Sequence, residues 1–302
     1  MRVVYRYIIL LLAVVSISSC KQNDPDDFNS RLKGSGVFVF DDYEPFADVP
    51  MNIYYHVPTS VDAKTPICIA FHGNGRDALE TRDALISKAD KLGFIAIVPE
   101  FSRAQFPGAD RYMLGNMFVD GDNPSPSTQK PEEDWTFSII EPLFDHISEL
   151  TSNENTGYDV IGHSAGAQFA HRFLMFKPGN RVNRMVCSAA GWYTMPDDDV
   201  QFPYGRGDSP TDGASLVHFF DFPMYVIVGT LDNDPNDPSL RRNASADAQG
   251  TNRLARAQYF YTESQNTAQS LQIPFGWQYK SLLNVDHDRD ASMQAGADLL
   301  YK

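Results

Sequence analysis

The sequence predicts an α/β domain built on an eight-stranded, mostly parallel sheet with helices on both faces. Short apolar, β-branched runs alternate with longer segments of helical spacing. The segment Gly162-His163-Ser164-Ala165-Gly166 lies between one such run and a helical segment. The 267 residues from Gly36 to Lys302 contain no repeat and no low-complexity break, so we expect one large core.

Eight strands are predicted from these apolar runs. They are Val37–Phe40, Met51–Val57, Ile67–Phe71, Phe94–Val98, Tyr158–Ile161, Arg184–Ser188, Met224–Val228 and Trp277–Leu282. The first two are close in sequence, as in a hairpin, and Pro99 ends the fourth. The intervening segments predict helices at Ala78–Leu92, Trp135–Leu150, Ala167–Phe176 and Ser292–Tyr301. Gly93 ends the first helix, and the second carries its large apolar residues on one face.

Two long loops separate these elements. Residues 101–134 are rich in Pro, Gly and Asp and also carry Phe106, Tyr112, Met113 and Phe118. Residues 191–221 follow the strand after the glycine-flanked serine and begin with Gly-Trp-Tyr. Loops of this length are usually functional or mobile, and ligands of open α/β sheets bind at the carboxyl ends of the strands. We therefore expect these apolar residues either to line a pocket or to pack within the loops.

The first twenty residues predict a lipoprotein signal. Arg2 and Arg6 precede the apolar run Ile8–Val15, which is shorter than the roughly 20 residues of a transmembrane helix and typical of a signal peptide. Ile17-Ser18-Ser19-Cys20 resembles a bacterial lipobox, with Ile in place of the commoner Leu. We expect cleavage before Cys20 and a lipid anchor on Cys20 that holds the protein at the outer membrane of the bacterial cell envelope, facing the periplasm or the cell surface. An ordinary secretory signal is the alternative.

On this interpretation residues 1–19 are a signal peptide, 20–35 are a polar tether and 36–302 are the catalytic domain. The formal net charge is −14, and loss of Arg2 and Arg6 with the signal peptide makes it −16. Such a surface repels nucleic acid, and no basic stripe offsets it. Cys68 and Cys187 lie in apolar strands. If these strands flank that of Tyr158, the two thiols are roughly 9–10 Å apart, too far for a disulfide.

The glycine-flanked serine predicts a nucleophile elbow. In this turn between a strand and a helix, the residues two before and two after the serine have no room for a side chain, and the serine hydroxyl is lifted out of the sheet. Such a serine needs a general base. His287 is the only histidine that follows the last predicted strand, on a loop that can fold back over the site.

The base needs an acid that orients it. Asp232 is the first carboxylate after the strand Met224–Val228, and Asp234 is the alternative two residues further on. The run from Asp232 to Asn236 also has the spacing of a calcium loop, but Asp237 and Asn243 stand where an EF-hand needs Gly and Glu. We therefore predict no EF-hand site.

Acyl transfer also requires donors for the developing oxyanion. Phe71-His72-Gly73-Asn74-Gly75 directly follows a strand, so its backbone lies beside the elbow. We predict that the N–H groups of Asn74 and Ala165 form the hole, with Gly75 as the alternative to Asn74, and that His72 stabilises the loop.

These motifs, together with the order Ser164, Asp232, His287, resemble the α/β-hydrolase superfamily from Gly36 to Lys302. The short His-Gly-x-Gly loop and the elbow ending Ser-Ala-Gly are similar to secreted bacterial polyhydroxybutyrate depolymerases and feruloyl esterases. Those enzymes often have Leu in place of His163, and many carry disulfides. The resemblance implies a catalytic triad without a cofactor, and it leaves the substrate open. No metal ligands are predicted.

The function predicted is therefore that of a serine esterase that acts on a small or polymer-linked ester. A surface-anchored binding lipoprotein that retains only the fold is the first alternative, although all elements of the triad and the oxyanion loop are present. A small serine peptidase is the second alternative.

Overall fold

The computed structural model describes residues 30–211 and 213–302. The predicted signal peptide 1–19, Cys20 and most of the predicted tether lie outside these residues. Within the described part, no helix has both the length and the apolar character that a membrane crossing requires.

The eight predicted strands are present in a single sheet of order β1-β2-β4-β3-β5-β6-β7-β8. Their bounds are β1 Gly34–Phe40, β2 Met51–Val57, β3 Ile67–Phe71, β4 Ile95–Pro99, β5 Tyr158–His163, β6 Val182–Ser188, β7 Met224–Gly229 and β8 Gln278–Leu282. β2 pairs antiparallel with β1 and β4, and the other pairs are parallel. The predicted fold class is confirmed.

The helices are α1 Ala78–Leu92, α2 Ile140–Thr151, α3 Ala165–Phe176, α4 Gly213–Asp221, α5 Ala244–Ala248, α6 Arg253–Ser270 and α7 Arg289–Tyr301. α2 begins five residues later than predicted, because two short 3-10 turns, Glu132–Asp134 and Thr136–Ile139, come before it. α4, α5 and α6 were not predicted. α6 has only a few small or isolated buried apolar residues, among them Ala257, Phe260 and Ala268, so it lacks a clear apolar stripe.

Both faces of the sheet are buried. Alternate residues of the central strands, such as Cys68, Ala70 and Ile161, pack against α1 and α7. The residues between them, such as Ile69 and Val160, belong to the larger core with α2, α3 and α6. Double burial explains why the parallel strands are continuous apolar runs without alternation.

The two cysteines occupy the predicted positions. Cys68 is on β3 and Cys187 is on β6, on either side of β5, and both are buried free thiols. The prediction that they form no disulfide is confirmed.

Candidate active site

Ser164 lies in the sharp turn between β5 and α3. Its backbone has φ 55° and ψ −115°, a conformation that is strained for a residue with a side chain. The Ser164 N–H donates to the carbonyl of Ser188 at the end of β6, at 2.8 Å. A methyl group on Gly162 would overlap the Gly166 carbonyl, and one on Gly166 would overlap the Phe71 carbonyl. The flanking glycines are therefore required by close backbone packing.

We expect Gly166→Ala to lower the free energy of unfolding by about 3 kcal/mol or more, because the new methyl group meets backbone atoms that cannot move aside. The melting temperature should fall by roughly 6–12 °C. Gly179→Ala is the matched control, since nothing lies within 4 Å of its added methyl group. Thermal unfolding of both variants checks the prediction, which fails if the two melt alike.

The structure brings Ser164, His287 and Asp232 together. His287 Nε2 is 3.0 Å from Ser164 Oγ, and His287 Nδ1 is 2.7 Å from Asp232 Oδ2. Asp232 can only accept, so His287 Nδ1 carries the proton and Nε2 accepts from the serine hydroxyl. The Asp232 side chain is 5% exposed, whereas Asp234 is exposed and accepts the N–H of Asn236. The geometry thus favours Asp232 over Asp234.

Backbone contacts between the two strand ends hold the Asp232 and His287 loops together. Leu231 N donates to Val285 O at 2.8 Å, and Thr230 N donates to Leu282 O at 2.9 Å. A side chain on Gly229 would overlap the Val285 carbonyl, so this glycine permits the close approach of the His287 loop. Asp288 then caps α7 by accepting the N–H of Ala291 at 2.8 Å.

Arg253 is a site residue that sequence reasoning missed. Its buried guanidinium donates to Asp232 Oδ1 at 3.2 Å and to Asp237 Oδ2 at 2.6 Å. In addition, Leu254 N donates to the Asp232 carbonyl at 3.0 Å. The beginning of α6 therefore holds Asp232 in place through Oδ1 and the backbone carbonyl, while Oδ2 contacts His287. Asn252, which caps α6, is the one sequence signal that points to this helix start.

His163 packs against His287. Its ring centroid is 4.6 Å from that of His287. Burial lowers the pKa of His163 well below its usual value, and the neighbouring His287 lowers it further. His163 is thus neutral at neutral pH and adds no positive charge beside His287.

The loop after β3 lies beside Ser164. A methyl group on Gly73 would be 3.7 Å from Ser164 Cβ, and Asn74 and Gly75 are exposed to the same cavity. Arg76 connects this loop to the loop after β4, because its guanidinium donates to the carbonyls of Phe101, Phe106 and Gly108. The assignment of Asn74 and Ala165 as oxyanion donors stays a prediction.

His72 stabilises the loop, as the sequence predicted. Its buried ring donates from Nδ1 to the Gly73 carbonyl at 2.9 Å and accepts the Phe101 N–H at Nε2, at 3.0 Å. Burial lowers the pKa of His72 to about 4. The ring is therefore neutral and acts as a bridge between the loops after β3 and β4.

Because of His72, we expect the free energy of unfolding to fall at acidic pH. Its pKa is about 4 in the folded state and about 6.5 in the unfolded chain, so the unfolded state takes up the proton first. The stabilisation is complete above pH 6.5 and is lost as the pH falls towards 4. We expect His72 alone to remove about 2 kcal/mol of the free energy of unfolding between pH 7 and pH 5. Urea titrations measure this loss, and His72→Gln should show a shallower pH dependence; an equally steep one would contradict the assignment.

A cavity of about 610 Å³ opens over Ser164. Met113 from the first long loop, Gln168 from α3 and Trp192 from the second long loop are among its lining residues. Arg172, which is fully buried, holds these walls: it donates to the carbonyls of Met113 and Gln168, and its guanidinium lies 4.1 Å from the Trp192 ring centroid. Sequence reasoning missed Arg172, since nothing in a helical segment marks an arginine as buried.

The aromatic residues of the long loops and Met113 divide between the two expected outcomes. Met113 and Trp192 line the cavity, whereas Phe106, Tyr112 and Phe118 are at most 1% exposed and belong to the core. Tyr112 stacks on Phe101 at 4.8 Å and donates to the His72 carbonyl at 2.6 Å. The first loop is thus packed into the larger core, where Tyr112 also contacts Phe169 of α3.

A metal site is not found among the described residues: no three His, Cys, Asp or Glu side chains lie together in a way that suits an ion.

A nucleophile elbow after β5, an acid after β7 and a histidine after β8 place the three groups at the carboxyl edge of the sheet. Together with the strand order, this arrangement defines the α/β-hydrolase fold.

Solved structures show which members of that fold the chain is similar to. Poly(aspartic acid) hydrolase-1 from Sphingomonas sp. KT-1 is 36% identical over 90% of this chain and 100% of its own, with a TM-score of 0.84. A poly(3-hydroxybutyrate) depolymerase from Bordetella parapertussis is 27% identical over 89% and 90% of the two chains, with a TM-score of 0.83. An S-formylglutathione hydrolase from Agrobacterium tumefaciens, 17% identical over 88% and 92% with a TM-score of 0.53, shares the fold. No protein-family model and no curated protein sequence matches the chain.

The chain belongs to the α/β-hydrolase family that includes the first of these enzymes, and it is a hydrolase. This confirms the resemblance predicted from the elbow and the His-Gly-x-Gly loop.

Proposed function

We propose that the protein hydrolyses carboxylic esters through an acyl-enzyme on Ser164. Ser164 Oγ attacks the ester carbonyl while His287 Nε2 accepts its proton, and Asp232 keeps the imidazole in the required tautomer. The N–H groups of Asn74 and Ala165 stabilise the oxyanion. His287 then gives the proton to the leaving alcohol, and a water molecule activated by the same histidine releases the acid.

The observation that carries this proposal is the continuous chain of hydrogen bonds from Ser164 Oγ through His287 to the buried Asp232, at 3.0 and 2.7 Å. The strained backbone of Ser164 supports it too. Strain of this kind is costly and is kept where the chemistry needs it. A binding protein that retained only the fold would gain nothing from it.

The similarity to poly(aspartic acid) hydrolase-1 favours amide hydrolysis as a second candidate. Poly(aspartic acid) is joined by amide bonds, whereas poly(3-hydroxybutyrate) is joined by ester bonds. The same three side chains serve both reactions, because the difference lies in the leaving group: an amine must receive the His287 proton before the C–N bond breaks, whereas an alkoxide leaves more readily.

Two assays test the proposal. A fluorophosphonate probe should label the wild-type protein, and peptide mass spectrometry should place the label on Ser164. A panel of para-nitrophenyl acyl esters, methyl ferulate, poly(3-hydroxybutyrate) and poly(aspartic acid) then separates ester from amide hydrolysis. Turnover of poly(aspartic acid) without turnover of any ester would replace the ester proposal by the amide one. Absence of both labelling and turnover would favour the binding protein.

A further inference from the structure

The cavity over Ser164 is lined by four arginines, Arg103, Arg241, Arg253 and Arg289, and by one acidic residue, Asp77. The chain as a whole carries a net charge of −14. Four arginines around one cavity do not follow from so acidic a composition, and the partners of each arginine show which of them is available to a ligand.

Three of these arginines already have carboxylate partners. Arg253 contacts Asp232 and Asp237, Arg241 contacts Asp122, and Arg289 contacts Asp77 and Asp290. Their charges are largely balanced within the protein.

Arg103 differs from the other three. Within residues 30–211 and 213–302 it makes no ion pair, and its guanidinium is held by a 2.6 Å hydrogen bond from Nη2 to the Asn74 carbonyl. That contact leaves the other N–H groups of the exposed Arg103 guanidinium free to bind a ligand. Since Asn74 belongs to the predicted oxyanion loop, Arg103 lies near the reacting carbonyl.

Two further arginines, which are buried and do not line the cavity, contribute positive charge near it. Arg76 and Arg172 are buried and donate to backbone carbonyls, and neither has a carboxylate partner in the described part of the chain. In a medium of low dielectric constant their charges add to the positive potential in the cavity.

The cavity also contains a buried donor that lacks an acceptor. Gln168, one turn after Ser164, is 4% exposed and lines the cavity, and its Nε2 has no hydrogen-bond partner among the described residues. A buried donor of this kind is unfavourable unless it is satisfied. An oxygen-rich ligand would satisfy it.

We propose that the substrate carries a carboxylate close to the bond that is cleaved, and that Arg103 recognises this carboxylate. The proposal rests on the acyl-enzyme chemistry at Ser164. Arginine suits the task because its planar fork can pair with both oxygens of a carboxylate. Arg103 is thus a specificity residue, and it takes no part in bond breaking.

A matched pair of esters tests the proposal. Monoethyl succinate carries a carboxylate, and ethyl 4-methylpentanoate has an isopropyl group of similar shape in its place. We expect Arg103→Gln to lower kcat/KM for monoethyl succinate by about tenfold, mainly through KM, and to leave that for ethyl 4-methylpentanoate within about twofold. Arg111→Gln, which removes the same charge from the same loop outside the cavity, should change neither value.

Salt provides a second readout. Raising the ionic strength should weaken the wild-type preference for monoethyl succinate, because salt screens the ion pair between the exposed Arg103 and the substrate carboxylate. In Arg103→Gln the preference should be small and insensitive to salt. Equal losses on both esters in Arg103→Gln would overturn the proposal and make Arg103 a support of the Asn74 loop. If the wild-type protein hydrolyses neither ester and no fluorophosphonate labels Ser164, the acyl-enzyme chemistry itself is wrong.

Discussion

Ser164→Ala is expected to abolish hydrolysis, with a loss on the order of 10⁴ or more in kcat. In the proposed mechanism the substitution removes the nucleophilic oxygen, and the members of a triad act as a unit. The fold should persist, because Ser164 Oγ is the only atom lost and its one hydrogen bond within the described residues is to His287. Steady-state kinetics with the best ester of the panel, together with thermal unfolding, measure both effects.

Ser239→Ala is the matched control, since Ser239 is the other serine that lines the cavity in the described structure. Its Oγ accepts from Arg253 Nη2 at 2.6 Å and has no contact with His287. Fluorophosphonate should still label this variant and fail to label Ser164→Ala. Substantial turnover in Ser164→Ala would contradict the serine mechanism, and loss of labelling only in Ser239→Ala would move the nucleophile to Ser239.

Asp232→Asn is expected to lower kcat by a similar amount, on the order of 10⁴. An asparagine amide can present a donor to His287 Nδ1, and the imidazole then holds its proton on Nε2, where it cannot accept that of Ser164. The exchange also removes a charged partner of Arg253, which still pairs with Asp237. Stability should therefore fall much less than activity does.

Asp234→Asn is the control for this variant. Asp234 is exposed, and its contact is with the N–H of Asn236 in its own turn. Activity close to that of the wild type is expected. A larger loss in Asp234→Asn than in Asp232→Asn would show that the acid had been assigned to the wrong residue.

The sheet could be predicted because strands buried on both faces are continuous apolar runs, and each run here is bounded by polar or turn residues. The elbow could be predicted because its glycines are required by local backbone packing. Asp232 and His287 followed from their positions after β7 and β8, since the carboxyl ends of parallel strands meet at one edge. These inferences depend on short-range pattern and on topology, which one sequence contains.

The arginines around the site could not be predicted in this way. Arg76, Arg172 and Arg253 are buried, which is rare for arginine, and their side-chain partners and most of their backbone-carbonyl partners are 14 to 59 residues away in sequence. Nothing in a local pattern marks such a residue. α6 was missed for a related reason: it is stabilised by contacts of single residues, including Arg253 and Phe260, rather than by an apolar stripe.

The hydrogen bonds between the loops after β7 and β8 affect which substitutions the protein can accept. The Asp232 and His287 loops are joined by two backbone hydrogen bonds and by one from the Asn284 N–H to Thr230 Oγ1, so most of their contact does not depend on side chains. The cavity walls depend instead on side-chain contacts. The Arg172 guanidinium lies over the Trp192 ring, and Arg103 donates a hydrogen bond to the Asn74 carbonyl. Catalytic alignment and substrate choice can thus vary separately, in evolution and in the laboratory. A library at Arg103, Met113 and Arg241 should yield variants with new ester preferences at high frequency, whereas Gly229 should accept almost no replacement.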